Sequence, residues 1–256
     1  MAQHEESSLP ANLPPGVAVA WGLGSPPSKG PKRGLSTERI VAAAIDCAAR
    51  EGVERLSMSR VAAALDVSTM ALYRYVSAKS DLLVLMMDAA TGRPPEDVGR
   101  QEGWRPALES WAHAQLEVFQ RHVWMLGIPI GSPPVTPNSL AWMERGLHCL
   151  RDTGLEIEVK LSVMTLLSSY IRGEARLLAD LEHSARANGT TVAAATVDYG
   201  VLLHRLTNPS DFPEITALLT ARAFDEPGEV QDSFALGLDV VLAGTAALVE
   251  EAADRG

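Results

Sequence analysis

Residues Leu56–Leu83 read LSMSRVAAALDVSTMALYRYVSAKSDLL, and their spacing leaves few ways to fold. Ser57 is a good N-cap for a helix whose apolar residues Met58, Val61, Ala62 and Leu65 fall on one face. Asp66 then stands where a tight turn needs a left-handed residue, a conformation Asp tolerates better than most. Ser68 caps a second helix, Thr69–Tyr75, in which Leu72 and Val76 face back and Thr69, Met70, Tyr73 and Arg74 face out. Small Ala62 lets the two helices cross closely. By spacing this is a helix-turn-helix whose polar and aromatic outer face suits a major groove. A helix from Ser36 or Thr37 to Arg50 precedes it, with Ile40, Val41, Ala44, Ile45 and Ala48 along one side and Gly52 as its stop signal.

The run Gly34–Leu83 closely resembles the DNA-binding domain of the TetR family of transcriptional repressors. Its most specific piece, LYRYVSAKSDLL, matches the family pattern Leu-Tyr-x-(His/Tyr)-(Val/Phe)-x-x-Lys-x-x-Leu-Leu. The resemblance implies an all-α protein with a three-helix DNA-binding domain at 34–81 and a larger helical effector-binding and dimerisation domain at 82–256. By position in the motif it implies that Thr69, Met70 and Arg74 face bases, and that Tyr73, Tyr75 and Lys79 meet phosphates. Thr37, Ser57, Ser59 and Ser68 lie where hydroxyls at helix starts can join them. Tyr73 can instead be a packing aromatic. Asp66 departs from the glycine frequent in the family's turn, and Ala71 from a position often hydroxylated.

Net charge is −10, which taken alone argues against nucleic acid, but the charge is unevenly spread. Lys29–Asp81 carries 9 Lys and Arg against 6 Asp and Glu, whereas the chain from Leu82 onward carries 13 against 24. A mildly basic head on an acidic body turns the head toward a polyanion. Residues 1–33 are rich in proline and glycine, lack helical periodicity and read as a mobile arm. Its basic end, with Lys32 and Arg33, is either a minor-groove arm or a solvated linker. Trp21 in this arm is unexpected for a segment in water.

The body reads as helix throughout: Ala78–Ala90, Trp104–Arg121, Asn138–Arg151 with Asn138 as cap, Glu156–Glu182, Val192–Leu206, Asp211–Ala223 and Glu229–Ala253. Residues 92–103 form a hinge region, and 183–191 a polar link. Two long helices carry seams at 4-3-4-3 spacing: Ile157, Leu161, Met164, Ile171 and Leu178 on one, and Phe234, Leu238, Val241, Thr245 and Leu248 on the other. These seams pack either inside the chain or against a second copy, in a two-fold four-helix interface. The family resemblance favours the homodimer. Two recognition helices about 34 Å apart then read successive major grooves of a palindromic site.

The resemblance also implies a small-molecule effector that releases DNA. Trp104, Trp111, Trp124, Trp142, His148, Met164 and Tyr170 gather bulky and adaptable side chains in the middle helices, as an apolar pocket with few polar anchors requires. No phosphate loop, Cys-x-x-Cys, His-Glu-x-x-His or Gly-x-Ser-x-Gly occurs, and no two histidines sit at i+3 or i+4. Neither an enzyme, a metal site nor a cofactor is expected. The longest apolar runs, such as Val240–Val249, fall short of a bilayer span, and Glu5 and Glu6 stand where a signal peptide would be basic. Two cysteines, Cys47 and Cys149, make no disulfide framework, so a cytoplasmic protein is expected. The reading is a cytoplasmic homodimeric repressor released from its operator by a small molecule. The alternatives are a regulator without ligand control, an activator, or a helical ligand-binding protein with no regulatory role.

Overall fold

A computed structural model describes residues 13–23, 35–225 and 230–255, and these form eleven α-helices with no strand among the described residues. The chain divides after Asp152 into two compact units. In the first, α2 (Thr37–Glu51), α3 (Met58–Ala64) and α4 (Thr69–Leu72) form the helix-turn-helix, and α5 (Lys79–Thr91), α6 (Trp104–Arg121) and α7 (Pro137–Cys149) follow. The second contains α8 (Ile157–Ala187), α9 (Val192–Leu206), α10 (Pro213–Thr220) and α11 (Val230–Ala253).

The head is built by local signals. Ser36, Ser57 and Ser68 each accept a hydrogen bond from the backbone N–H three residues on, satisfying donors that a helix start leaves free. Gly52 ends α2 at φ 86°, and Asp66 makes the turn after α3 at φ 54°. Ile40, Ala44, Val61, Ala62, Leu72 and Val76 are buried almost completely, so the small cores of the three helices interlock. Asp66→Gly should be neutral to stabilising, by no more than about 1 kcal/mol, because glycine enters this region without strain but loses more entropy on folding. Thermal unfolding checks this, and a clear fall in midpoint would show that the Asp66 side chain contributes a contact.

The arm is not featureless. Pro15–Ala20 forms a short helix, α1, lying on α5. The Gly16 N–H donates to Asp81 Oδ1 at 3.1 Å, and the Trp21 indole donates to the Val135 carbonyl at 2.8 Å. A Cβ on Gly16 would stand 2.9 Å from the Asp81 Cα and 3.0 Å from its carbonyl oxygen, so two backbones meet where only glycine fits. This long-range fit explains why periodicity gave no sign of α1. Lys32 and Arg33 lie outside the described residues. Gly16→Val should detach α1 and cost about 1–3 kcal/mol. Hydrogen exchange should then become fast at residues 15–20, and unchanged protection there would contradict this packing.

Further boundaries differ from expectation for identifiable reasons. Asn138 does not cap α7. Thr136 and Ser139 form a reciprocal capping pair with Pro137 in the first turn. Asn138 instead fastens α7 to α5: its N–H donates to Asp88 Oδ1 at 2.8 Å, and its side-chain amide donates to the Asp88 carbonyl at 2.9 Å and to Oδ2 at 3.0 Å. Helix α8 runs five residues past Glu182. Its stop is Gly189 at φ 66°, with the Thr190 N–H returning to the Ala185 carbonyl at 2.9 Å, a C-terminal glycine motif.

In the second unit α8 and α11 run antiparallel: Gly154 faces Ala252, and Tyr170 reaches Phe234 near the start of α11. The seams expected to meet another chain are largely used up within this one. Met164, Ile171, Phe234, Leu238 and Thr245 are buried, Leu178 and Val241 are partly covered, and only Ile157, Leu161 and Leu248 are exposed. A 4-3 spacing reveals a face that will be covered but not what covers it, and here intrachain packing takes most of it. The apolar content of α11 is also greater than Val240–Val249 suggested. Ser233–Ala253 is long and apolar enough by composition alone to cross a bilayer, at mean hydropathy 1.6. One face of it, Phe234, Leu238, Leu242 and Thr245, is instead a packed helix face.

Candidate nucleic-acid interface and ligand cleft

The outward face of α4 and the turn after it carry the residues expected to touch DNA. Met70 is 71% exposed and Tyr73 44% exposed, with Arg74 and Lys79 open to solvent and Thr69 and Tyr75 half-buried. Behind them Leu72 and Val76 are sealed into the core, so the helix cannot roll without unpacking the head. Tyr73 therefore is not a core aromatic. Ser57 and Ser68 use their oxygens as acceptors in the caps, which leaves the Ser68 hydroxyl proton available to donate, while the Ser57 hydroxyl is shared with Ser59. Ser59 is exposed one turn along and shares a 3.0 Å hydrogen bond with Ser57, and Thr37 is half-buried in the first turn of α2. An array of donors around the two cationic side chains Arg74 and Lys79, on a rigid backing, has the chemistry to hold phosphates and read a base edge.

The residues expected to line a ligand pocket separate into distinct roles. Trp104 and His148 line a cleft of about 1220 Å³ between residues 93–104 and α7. Its other walls include Arg93, Arg100, Arg145 and Arg151, with Glu96, Glu144 and Asp152, so it is more polar than the expected pocket. Arg145 is committed there, donating to the carbonyls of Pro95, Glu96 and Val98 and so fixing the hinge segment. Burial pushes the Cys149 thiol up to about 11, so this cysteine stays protonated and inert at neutral pH. His148 is exposed and its ring meets the Arg151 guanidinium.

Trp111 and Trp142 are buried and packed edge to face at 6.1 Å. Trp111 donates to the Trp142 carbonyl and Trp142 to the Gly92 carbonyl, each at 2.9 Å, so the pair anchors the end of α5. Tyr170, also expected in the pocket, donates its hydroxyl to the Phe234 carbonyl at 2.8 Å and stacks on the Phe234 ring at 5.5 Å. Its partners are structural. Met164 is buried in α8. Trp124 is buried in the 3-10 helix Val123–Gly127.

The sequence also gives α8 a second apolar stripe, Val163, Leu167, Tyr170, Leu177 and Leu181, of which Val163 and Leu167 are buried while Leu177 and Leu181 stay exposed within a longer apolar stripe that the spacing did not outline. On α8 it comprises Leu166, Leu177 and Leu181, with Ser162 one turn before Leu166 and Ser169 and Gly173 between Leu166 and Leu177. On α11 it comprises Leu236 at 69% and Val240 at 67% exposure, followed by Ala243 and Ala247. Small residues diluted its hydrophobic signal. They are also what allows two helices to approach closely.

Residues 40–86 match the family described as bacterial regulatory proteins, tetR family, and residues 97–249 match the tetracyclin repressor-like C-terminal domain. The HTH-type transcriptional repressor DrrR1 of Streptomyces coeruleorubidus is 34% identical over 249 residues, covering 96% of this chain and 90% of DrrR1. An HTH-type transcriptional regulator of Saccharopolyspora erythraea is 28% identical over 213 residues, covering 83% and 85% of the two chains. Among solved structures, ActR of Streptomyces coelicolor in complex with actinorhodin is similar with a TM-score of 0.67 and 27% identity, covering 83% of this chain and 96% of ActR.

Proposed function

The chain belongs to the TetR family of DNA-binding transcriptional regulators, and from that premise we propose that it is a cytoplasmic homodimeric repressor released from a two-fold-symmetric operator by a small molecule. The observation that carries this reading is the pairing of two exposed surfaces with opposite chemistry. One is the polar, cationic face of α4, and the other the apolar stripe on α8 and α11. We divide the chain functionally into an arm at 1–33, a DNA-binding head at 34–81 and an effector-binding and dimerisation body at 82–256. In the head, Arg74 pairs with a guanine edge, Thr69 donates or accepts at a neighbouring base, and Met70 covers a thymine methyl. Tyr73, Tyr75, Lys79 and the hydroxyls of Thr37, Ser57, Ser59 and Ser68 hold the backbone.

Dimerisation uses Leu166, Leu177 and Leu181 with Leu236 and Val240. Ile157, Leu161 and Leu248, from the seams first considered, lie exposed on the same two helices. Repression is supported by DrrR1, a repressor similar over nearly the whole chain, and ligand control by ActR, whose structure holds actinorhodin. Helix α5 is the transmitting element. It packs on α2 at the head, and Asp88 and the Gly92 carbonyl tie its far end to α7 through Asn138 and Trp142. An effector that displaces α7 pulls α5 with it. It shifts the equilibrium only as far as it binds the DNA-incompetent form more tightly, a tenfold preference being about 1.4 kcal/mol. Linkage then requires operator DNA to weaken the effector by the same factor. Titration of a releasing compound with and without operator tests this, and equal affinities would reject induction.

A further inference from the structure

Three of the five tryptophans give their indole N–H to a backbone carbonyl: Trp21 to Val135, Trp111 to Trp142 and Trp142 to Gly92. Trp124 does not. Its ring is 7% exposed, and its Nε1 is the one buried side-chain nitrogen or oxygen among the described residues with no hydrogen-bond partner. Folded proteins rarely leave such a donor unpaired, because it has given up water without gaining an acceptor. Its surroundings select the missing acceptor. Met125 and Leu126 beside it are buried, and the His122 ring packs against it edge-on at 6.2 Å. Burial, and then the charge on Arg121, lower the His122 pKa and favour its neutral ring. The Arg121 charge that reaches the His122 ring comes from an exposed side chain, so an anion at the buried Nε1 would leave water against apolar groups at greater cost than a neutral carbonyl.

We propose that the Trp124 indole N–H is a ligand-binding donor, and that the molecule it takes is largely apolar and presents a neutral carbonyl oxygen to it. This rests on the reading of the body as effector-binding and names the chemistry of that effector. Trp124 also lies close to a contact with the head. At the end of the same 3-10 helix, a Cβ on Gly127 would stand 2.9 Å from Val53 Cγ1 and 2.8 Å from Glu54 Oε1, in the turn between α2 and α3. A ligand gripping Trp124 therefore acts three residues from a point where the body touches the head.

The probe pair 9-fluorenone and fluorene differs by one carbonyl on a shared flat skeleton. The full-length protein is expected to bind fluorenone about tenfold more tightly than fluorene, the order of one well-formed hydrogen bond. In Trp124→Phe the preference should fall to about onefold. Because the smaller ring can loosen the core, benzothienylalanine at position 124, which keeps the bicycle but has no N–H, should give the same result. In ¹⁵N-indole spectra, the Trp124 signal, identified by its loss in Trp124→Phe, should move with fluorenone and stay with fluorene. Equal affinities, a preference that survives both substitutions, or binding of neither probe would overturn the assignment. Operator release by another compound, undiminished in Trp124→Phe, would overturn it while leaving effector control intact. A fluorenone preference that needs Trp124 but leaves operator affinity unchanged would support the donor and sink the effector reading.

Discussion

The double substitution Leu166→Glu and Val240→Glu is expected to yield a folded monomer that has lost its operator. Both side chains are exposed in the single chain, Leu166 at 56% and Val240 at 67%, so glutamate there leaves the packed face of each helix untouched. Surface changes of that kind usually alter stability by less than about 0.5 kcal/mol. In a dimer the same positions place charges within an apolar four-helix interface, where unpaired carboxylates are strongly disfavoured. Light scattering should report the mass of one chain, with helical content close to wild type and a thermal midpoint lowered by the lost association. Operator affinity should drop by about 100-fold or more, because the second half-site is no longer bound at high effective concentration. A variant that stays dimeric would place the interface elsewhere. A monomer that keeps its operator affinity would show that one head suffices.

Arg74→Ala should have the second large effect, on base choice rather than on oligomeric state. Arg74 is exposed on a backbone held by buried Leu72 and Val76, so its removal should leave the head folded. If its guanidinium makes a bidentate contact to guanine, discrimination at one position in each half-site should fall by about 1–3 kcal/mol, while other positions keep their preference. Binding to a panel of single-base operator variants measures this. A uniform loss across the panel, with a shallower salt dependence, would make Arg74 a phosphate contact.

What could be read from the sequence tracks how far each signal reaches along the chain. The helix-turn-helix was legible because its determinants are local: serine caps, an Asp able to adopt φ 54°, and buried residues at helical period, although α4 ends at Leu72 and residues 73–75 form a turn where helix was expected to Tyr75. Helices α6 and α9 were equally plain, since a strong pattern begins and ends at clear signals. Features set by contacts between distant residues were not legible. Helix α1 exists because Gly16 has no Cβ to strike Asp81, 65 residues away. Asn138 looked like a cap, but Asp88 claims it. The seams on α8 and α11 had the right period, yet Tyr170 and its neighbours cover much of them within the chain. The stripe left outside is interrupted by serine, glycine and alanine. Bulky aromatic composition likewise marked the middle helices without separating Trp111 and Trp142, which bind backbone carbonyls, from Trp124, which binds none.

The central claim is that one chain contributes one groove-reading helix and a second copy sets the distance to the next. Selection of bound sites from random duplex DNA by the purified full-length protein tests it most directly. The expected product is a two-fold-symmetric sequence whose half-site centres lie about one helical turn, or a whole number of turns, apart. Recovery of a lone half-site, or of duplexes with no common sequence, would contradict it.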